Sequence, residues 1–126
     1  MTKEIILTEN APAPIGPYSQ AVKAGNTLYV SGQIPMNPQT GAIENETIEA
    51  ETNRVMQNID AVLKAANYSF GDVVKATIFI TDMNLFGRIN AVYANYFTAN
   101  PPARETVQVA RLPTDVNVEI SVIAVQ

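Results

Sequence analysis

Residues 47–66, TIEAETNRVMQNIDAVLKAA, and residues 73–81, VVKATIFIT, decide the fold of this chain of 126 residues. In the first stretch, apolar and small side chains recur at the three-and-four spacing of one helical face, which predicts a long helix. Thr47 can cap this helix, and Lys64 lies in its last turn, where the helix dipole favours a cation. The second stretch alternates, which predicts a strand whose apolar row is Val74, Ala76, Ile78 and Ile80. The helix of residues 47–66 should therefore pack its apolar face against the rest of the protein and expose its other face to solvent.

Shorter elements surround these two. The predicted strands cover residues 4–8, 19–24, 27–31, 105–110 and 116–125, and a second helix, capped by Asp82, covers residues 83–98. Gly25 and Asn26 join two of the strands in a tight hairpin, and Gly32 ends the second of them. Residues 11–17 contain three prolines and form a stiff, extended loop.

The whole chain, residues 1–126, is predicted to be one domain, because a chain of this length buries roughly two thirds of its unfolded surface around one core. The two strands that flank the long helix should be parallel and joined by a right-handed crossover. The prediction is an α+β fold, in which a mixed β-sheet carries both helices on one face.

The last strand has two different rows of side chains. One row is apolar throughout and faces the helices: Val116, Val118, Ile120, Val122 and Ala124. The opposite row is polar at one end and apolar at the other: Asn117, Glu119, Ser121, Ile123 and Val125. Because Phe79, Ile123 and Val125 would be uncovered in a monomer, we expect sheets of several subunits to face one another. Polar segments should then line clefts between the subunits.

The composition excludes several kinds of chemistry. The chain has no His and no Cys, so it lacks the groups for a Ser-His-Asp or Cys-His nucleophile and for a zinc site of the usual nitrogen and sulfur ligands. No metal site is predicted. The net charge of -4 argues against a nucleic acid as partner. Residues 1–10 lack the apolar stretch of a signal peptide and no stretch is long enough to span a membrane, so we expect a cytoplasmic protein.

Arg104 is the first candidate for chemistry. It follows Pro101 and Pro102 at the start of a strand, where a planar guanidinium can be held for a carboxylate. The alternative is a surface arginine paired with Glu105 or Asp115. Because side chains alternate along a strand, Arg104 shares a face with Thr106 while Glu105 points to the other face.

Glu119 is the second candidate, because an acid flanked by valine and isoleucine in a strand is uncommon. Partial burial would raise its pKa towards values useful for proton transfer, whereas the alternative is a solvent-facing residue on a one-sided sheet. Tyr18 and Asn90 are either cleft residues or ordinary packing and surface residues. Ser31 and Gly32 allow a close approach of backbone to a ligand or serve a turn.

Three segments together carry a family resemblance: residues 13–20 (APIGPYSQ), residues 31–35 (SGQIP), and PAR at residues 102–104, which leads to VQVARLP at residues 107–113. With these segments in this order, the chain resembles the RidA family, also called YjgF. The resemblance implies a chorismate-mutase-like α+β fold and a homotrimer whose sheets form a central barrel with three clefts between subunits.

The resemblance also implies a function. Members that retain the arginine are deaminases that hydrolyse 2-imino acids, such as 2-iminobutanoate and 2-iminopropanoate released by pyridoxal-phosphate dehydratases, to 2-oxo acids and ammonia. No cofactor is needed. Carried over by motif, Arg104 clamps the substrate carboxylate, Glu119 positions or activates water, and Tyr18 closes the cleft from a neighbouring chain. The other implied residues are Gly32 and Thr106, through their backbone amides, and Ser31 and Asn90 in the wall. Thr106 stands where some members carry Cys, which argues against an obligatory thiol.

Two other functions remain open. The same cleft could bind 2-oxo acids as a sensor without turnover, which Arg104 alone would serve. RNA cleavage linked to inhibition of translation is attributed to some relatives, but the acidic composition and the absence of His argue against it.

Overall fold

The computed structural model describes residues 2–126, which contain six strands and two α-helices in the predicted order. The elements are β1 (Lys3–Ile6), β2 (Ala21–Ala24), β3 (Thr27–Gln33), α1 (Ile48–Ala65), β4 (Val73–Ile80), α2 (Phe86–Ala94), β5 (Ala103–Gln108) and β6 (Val118–Val125). Short 3₁₀ turns cover Phe70–Asp72, Met83–Leu85 and Pro113–Asp115. In the described region neither helix has the length and hydrophobicity that crossing a membrane requires.

Helix α1 forms as its sequence predicts. The Thr47 hydroxyl oxygen accepts a hydrogen bond from the backbone N–H of Ala50 at 3.0 Å, which caps the first turn. The helix ends where Asn67 turns into the left-handed region with a φ of 62°. Its apolar stripe is fully buried and comprises Val55, Met56, Ile59, Val62 and Leu63. Burial of this stripe against the sheet holds the helix in place.

The sheet has the strand order β1-β2-β3-β6-β4-β5. Strand β6 lies between β3 and β4 and is antiparallel to both, so the strands that flank α1 are parallel to each other, as predicted, without being neighbours. Strand β5 pairs with β4 in parallel and lies at the edge. Helix α1 packs on β3 and β6, and α2 packs against α1 on the same face, where its Asn90 contacts Arg104 of β5. The predicted mixed sheet with two helices on one face is confirmed.

Two predictions about the strands are wrong. Val74 does not belong to the buried row of β4; it is 49% exposed, and Val73 is buried in its place. The cause is a shift of the β4–β6 register between Val73 and Lys75, which adds one residue to β4. Gly32 does not end β3, because the strand continues to Gln33 beyond an irregularity that follows Val30.

Helix α2 is shorter than the predicted span of residues 83–98. The α-helix ends at Ala94, and the next residues close tighter turns, in which Tyr96 N–H and Phe97 N–H donate to carbonyls three residues earlier. These turns bring both rings onto Phe70, with ring centres 5.2 and 5.3 Å from its own. Packing of aromatic rings therefore replaces the last helical turn.

The face of the sheet opposite the helices, which we call the open face, is largely uncovered. Strand β6 buries Val118 and Ile120 under the helices, whereas Ile123 on its other row is only half-buried. The larger apolar side chains that the strand registers place on the open face are Ile5, Val22, Tyr29, Phe79, Val107, Ile123 and Val125. So much apolar surface on one side of a small chain is typical of a protein–protein interface.

A buried carboxylate connects α1 to β6. Glu51 is 1% exposed, and its two oxygens accept hydrogen bonds from the backbone N–H of Asn117 at 2.6 Å and from the Asn117 side-chain amide at 2.9 Å. The Asn117 carbonyl in turn accepts from the backbone N–H of Thr81. This network fixes the chain just before Glu119 enters β6.

We expect Glu51→Ala to lower the free energy of unfolding by about 2–3 kcal/mol, because two donors lose a charged acceptor in a buried place. Urea denaturation measures the change. Glu49→Ala is the matched control: Glu49 lies in the same helical turn, but it is exposed and pairs with Arg88 on the surface. Equal losses in the two variants would contradict the structural role of Glu51.

Candidate active site

The Arg104 side chain lies on the helix side of the sheet, at the start of the edge strand β5. Its Nη1 donates a hydrogen bond to the Asn90 side-chain oxygen at 2.7 Å. Its Cζ lies 4.9 Å from the centre of the Tyr93 ring and 5.5 Å from that of Phe86. Helix α2 therefore holds the guanidinium through one amide oxygen and two aromatic rings.

The alternative interpretation of Arg104, a surface arginine paired with Glu105 or Asp115, does not hold. Glu105 pairs with Lys75 at 3.0 Å, and Asp115 pairs with Arg111 at 2.6 Å. Within residues 2–126, Arg104 has no carboxylate partner. The predicted alternation holds, because Arg104 faces α2 whereas Glu105 reaches Lys75 on the open face.

Arg104 borders an open cleft of about 330 Å³ together with Tyr93, Pro101 and Pro102. Two hydroxyls beside it, Tyr93 Oη and Thr106 Oγ1, are buried and have no hydrogen-bond partner in the described chain. Burial raises the pKa of Tyr93, although the nearby Arg104 guanidinium opposes this effect. Tyr93 is therefore neutral at physiological pH.

Glu119 lies on the open face, at the polar end of β6. It borders a second cleft of about 350 Å³, which also includes Tyr18, Ser31 and Gly32. The rest of that cleft is apolar and consists of Ile15, Ile34 and Pro113. Partial burial raises the pKa of Glu119, as predicted for an acid in this strand. No cation within residues 2–126 forms a salt bridge with its carboxylate.

Gly32 makes room for the Glu119 carboxylate. A Cβ atom at this position would lie 2.5 Å from Glu119 Oε2 and 2.7 Å from Cδ, well inside contact distance. The backbone of Gly32 is outside the left-handed region, so a Cβ here would not strain the backbone but would displace the Glu119 side chain. Gly32 thus determines where the carboxylate can lie.

Tyr18 and Ser31 form the wall beside Glu119. Tyr18 is 49% exposed, and its hydroxyl accepts a hydrogen bond from the backbone N–H of Ile15 at 3.2 Å across the proline-rich loop. The Ser31 hydroxyl donates to the carbonyl of Ser19 at 2.6 Å. Both hydrogen bonds therefore help to hold the proline-rich loop and the residues that follow it beside the cleft that contains Glu119.

Sequence reasoning did not single out Gln20, which organises this loop. Its side chain is buried; its oxygen accepts from Thr8 N–H at 2.7 Å, and its amide donates to the carbonyls of Thr8, Ala11 and Pro12. A polar residue at the end of a proline-rich segment is the one signal that could have identified it. Phe86 and Tyr93 were also missed as neighbours of Arg104, although their spacing with Asn90 indicates a shared face.

The predicted site residues form two groups that a single chain does not bring together. Arg104, Asn90 and Thr106 lie on the helix side, and β5 pairs Arg104 with the buried Ala76. The second group, Tyr18, Ser31, Gly32 and Glu119, lies at the other cleft, and Glu119 pairs with Phe79 on the open face. No cluster of three or more acidic side chains suited to a metal ion occurs in the described residues.

Comparisons with known proteins show the family to which the chain belongs. The family model described as Endoribonuclease L-PSP matches residues 8–126. A RutC family protein of Pyrococcus horikoshii is 56% identical, with 97% of each chain covered. A 2-iminobutanoate/2-iminopropanoate deaminase of Escherichia coli is 48% identical, with 96% of each chain covered.

Solved structures agree with these matches over almost the whole length. A protein of the Rid family from Yersinia pestis superposes with a TM-score of 0.96 at 49% identity and covers 99% of this chain and 100% of its own. TdcF of E. coli, solved with bound serine, gives a TM-score of 0.94 at 47% identity, with 98% of both chains covered. The chain therefore has the YjgF fold and belongs to the RidA family.

Proposed function

We propose that this protein is a deaminase that hydrolyses 2-iminobutanoate and 2-iminopropanoate to the 2-oxo acids and ammonia. One observation carries the proposal: Arg104 is held by uncharged groups and has no carboxylate partner of its own in residues 2–126. The 48% identity with the E. coli enzyme of this activity supports the substrate class.

Arg104 would bind the substrate carboxylate. A guanidinium has five N–H donors in a planar fork, and the hydrogen bond to Asn90 uses the Nη1 side of it. The remaining donors can form a bidentate pair with a carboxylate, which fixes the adjacent carbon C2 in position. Serine, the molecule bound in TdcF, also carries a carboxylate beside a nitrogen-bearing carbon.

The complete site requires a second copy of the chain. Arg104 and Glu119 lie on opposite sides of one sheet, so they can face the same substrate only across a subunit boundary. The apolar open face supplies the surface for such an assembly. We propose a homotrimer in which the open faces enclose a barrel and Tyr18, Ser31 and Glu119 of one subunit complete the Arg104 cleft of the next.

The two charged groups suit a 2-imino acid. At neutral pH a protonated imine beside a carboxylate carries both a positive and a negative charge, which match Glu119 and Arg104. The Glu119 carboxylate accepts a proton from water while the water oxygen forms a bond to C2 and the C=N electron pair moves to nitrogen. The protonated Glu119 then returns its proton to the nitrogen. As the C–N bond breaks and ammonia leaves, the Glu119 carboxylate accepts the hydroxyl proton and the C=O bond of the 2-oxo acid forms; ammonia then takes this proton and departs as ammonium. The two side chains that this reaction requires, Arg104 and Glu119, are both present in this chain.

The description of the family model favours a second candidate function, cleavage of RNA. The chain gives little support to it. Its net charge is -4, and the cleft that contains Glu119 has no basic side chain in its lining. Binding of a phosphate backbone relies on several cations, so the small carboxylate remains the better ligand.

Replacement of Arg104 tests carboxylate binding. We expect Arg104→Ala to lower kcat/KM for 2-iminobutanoate by about a hundredfold or more, because the anion loses a charge-assisted bidentate partner. Arg104→Lys should recover part of the loss, since it keeps the charge but not the fork. The assay couples a pyridoxal-phosphate dehydratase that releases the imine to detection of the 2-oxo acid. Arg111→Ala, which removes a surface arginine paired with Asp115, is the control. Full activity of a trimeric Arg104→Ala protein would refute the proposal.

Replacement of Glu119 separates an enzyme from a sensor. Glu119→Gln should lower kcat by at least about a hundredfold, as expected for loss of a general base, while 2-oxobutanoate binding measured by calorimetry is retained. Because burial raises the pKa of Glu119, wild-type kcat should fall on acidification already above the ordinary glutamate value of about 4.3. The base works when deprotonated, so activity is present above this pKa and lost below it. Undiminished turnover in Glu119→Gln would refute the role of Glu119 as general base. A wild-type protein that binds 2-oxobutanoate but hydrolyses no imine would leave only the binding function.

Gly32 offers a test of geometry without a change of charge. Gly32→Ala should push the Glu119 carboxylate away and reduce kcat by up to about a hundredfold, with an unchanged circular dichroism spectrum. Gly87→Ala in α2 is the matched control, because a Cβ there meets no atom within 4 Å. If Gly32→Ala retains the wild-type rate, the position of the Glu119 carboxylate is not critical.

A further inference from the structure

Three side chains of α2 converge on one guanidinium. Phe86, Asn90 and Tyr93 occupy positions i, i+4 and i+7, which lie on one face of a helix. All three contact Arg104, Asn90 through its hydrogen bond and the other two through their ring faces. The side chains on this face of α2 therefore surround Arg104 of β5.

The contacts that restrain Arg104 differ from the common arrangement, in which a carboxylate pairs with the arginine. An arginine side chain has many rotamers, and a carboxylate partner is the common way to restrict it. Such a partner would also neutralise the charge and compete with an anionic ligand. Aromatic faces and an amide oxygen restrict the guanidinium without supplying a negative charge. Helix α2 thus holds Arg104 and leaves its charge available.

The Tyr93 ring is the best-anchored of the three groups. It is 5% exposed, it lies closer to Arg104 than the Phe86 ring does, and it also packs against Phe97 at 4.7 Å between ring centres. Phe97 in turn packs on Phe70. Burial and packing on Phe97 restrict the movement of this ring, which in turn limits the positions that the guanidinium can take.

We infer that Tyr93 is a positioning residue for Arg104, and that its aromatic ring, not its hydroxyl, sets the affinity of the cleft for a carboxylate. The Tyr93 hydroxyl satisfies no hydrogen-bond geometry in the described chain, although it lies close enough to the Arg104 guanidinium for that group to oppose the rise in its pKa. The ring contact is therefore the better-defined of the two, and the comparison of Tyr93→Phe with Tyr93→Leu separates them. The inference rests on the proposed function in one respect: that function identifies the bound carboxylate as part of a 2-imino acid. The placement of Arg104 itself is a property of the ligand-free protein.

The kinetic experiment compares Tyr93→Phe, Tyr93→Leu and Tyr96→Leu in the coupled assay. Tyr93→Leu should raise KM about tenfold with kcat nearly unchanged, because a group that binds the ground state and the transition state alike is loosened. Tyr93→Phe should keep the wild-type KM. Tyr96→Leu is the matched control, since Tyr96 belongs to the same aromatic cluster through Phe70 but bonds to Asn53 and forms neither a hydrogen bond nor a cation–π contact with Arg104 in the described residues. Should Tyr93→Leu fail to fold, Phe86→Leu takes its place with a smaller expected rise.

A second measurement needs no activity. Nuclear magnetic resonance relaxation of the Arg104 Nε–H group in the ligand-free protein should show restricted motion in the wild type and in Tyr93→Phe, and increased motion in Tyr93→Leu. Unchanged Arg104 motion and KM in Tyr93→Leu would overturn the inference, as would equal losses in the Phe and Leu variants. If Arg104 becomes mobile in Tyr93→Leu but the wild type hydrolyses no imine, the positioning role stands and the proposed function fails.

Discussion

The period-two alternation of β6 is the constraint on which the rest of the structure depends. This strand lies between β3 and β4, so its backbone is paired on both sides and its side chains can only point to one face or the other. One row, which includes Val118 and Ile120, is buried in the core on the helix side of the sheet. The other row must then carry Glu119 to the open face. The position of the acid is a direct result of how the core is filled.

The sequence was sufficient wherever local pattern and tertiary packing agree. The apolar stripe and the Thr47 cap of α1, the turn at Gly25, and the two rows of β6 all followed from spacing alone. The bulge at Val74 did not, because it depends on how β4 pairs with a strand more than forty residues further along the chain. The early end of α2 was also missed, since packing of aromatic rings on Phe70 decides it.

The candidate site shows the same division. Arg104 and Glu119 stood out as chemical groups, but their separation onto two sides of the sheet follows from the parallel register of β5 and the antiparallel register of β6. The neighbours of Arg104 also required the structure, although their helical spacing was visible. Gln20 and Glu51 escaped notice because a buried polar side chain is recognised by its partners, which lie far apart in sequence.

Alternation in β6 also protects the chain against misfolding. A slip of one residue in its pairing would turn Glu119 and Ser121 inward beneath the helices and expel Val118 and Ile120 into water. The misaligned state would then contain a buried, unpaired acid together with solvent-exposed valine and isoleucine. Glu119, which we propose as the general base, thus also disfavours the nearest wrong register of β6. Its replacement by an apolar residue would make that misaligned state less unfavourable.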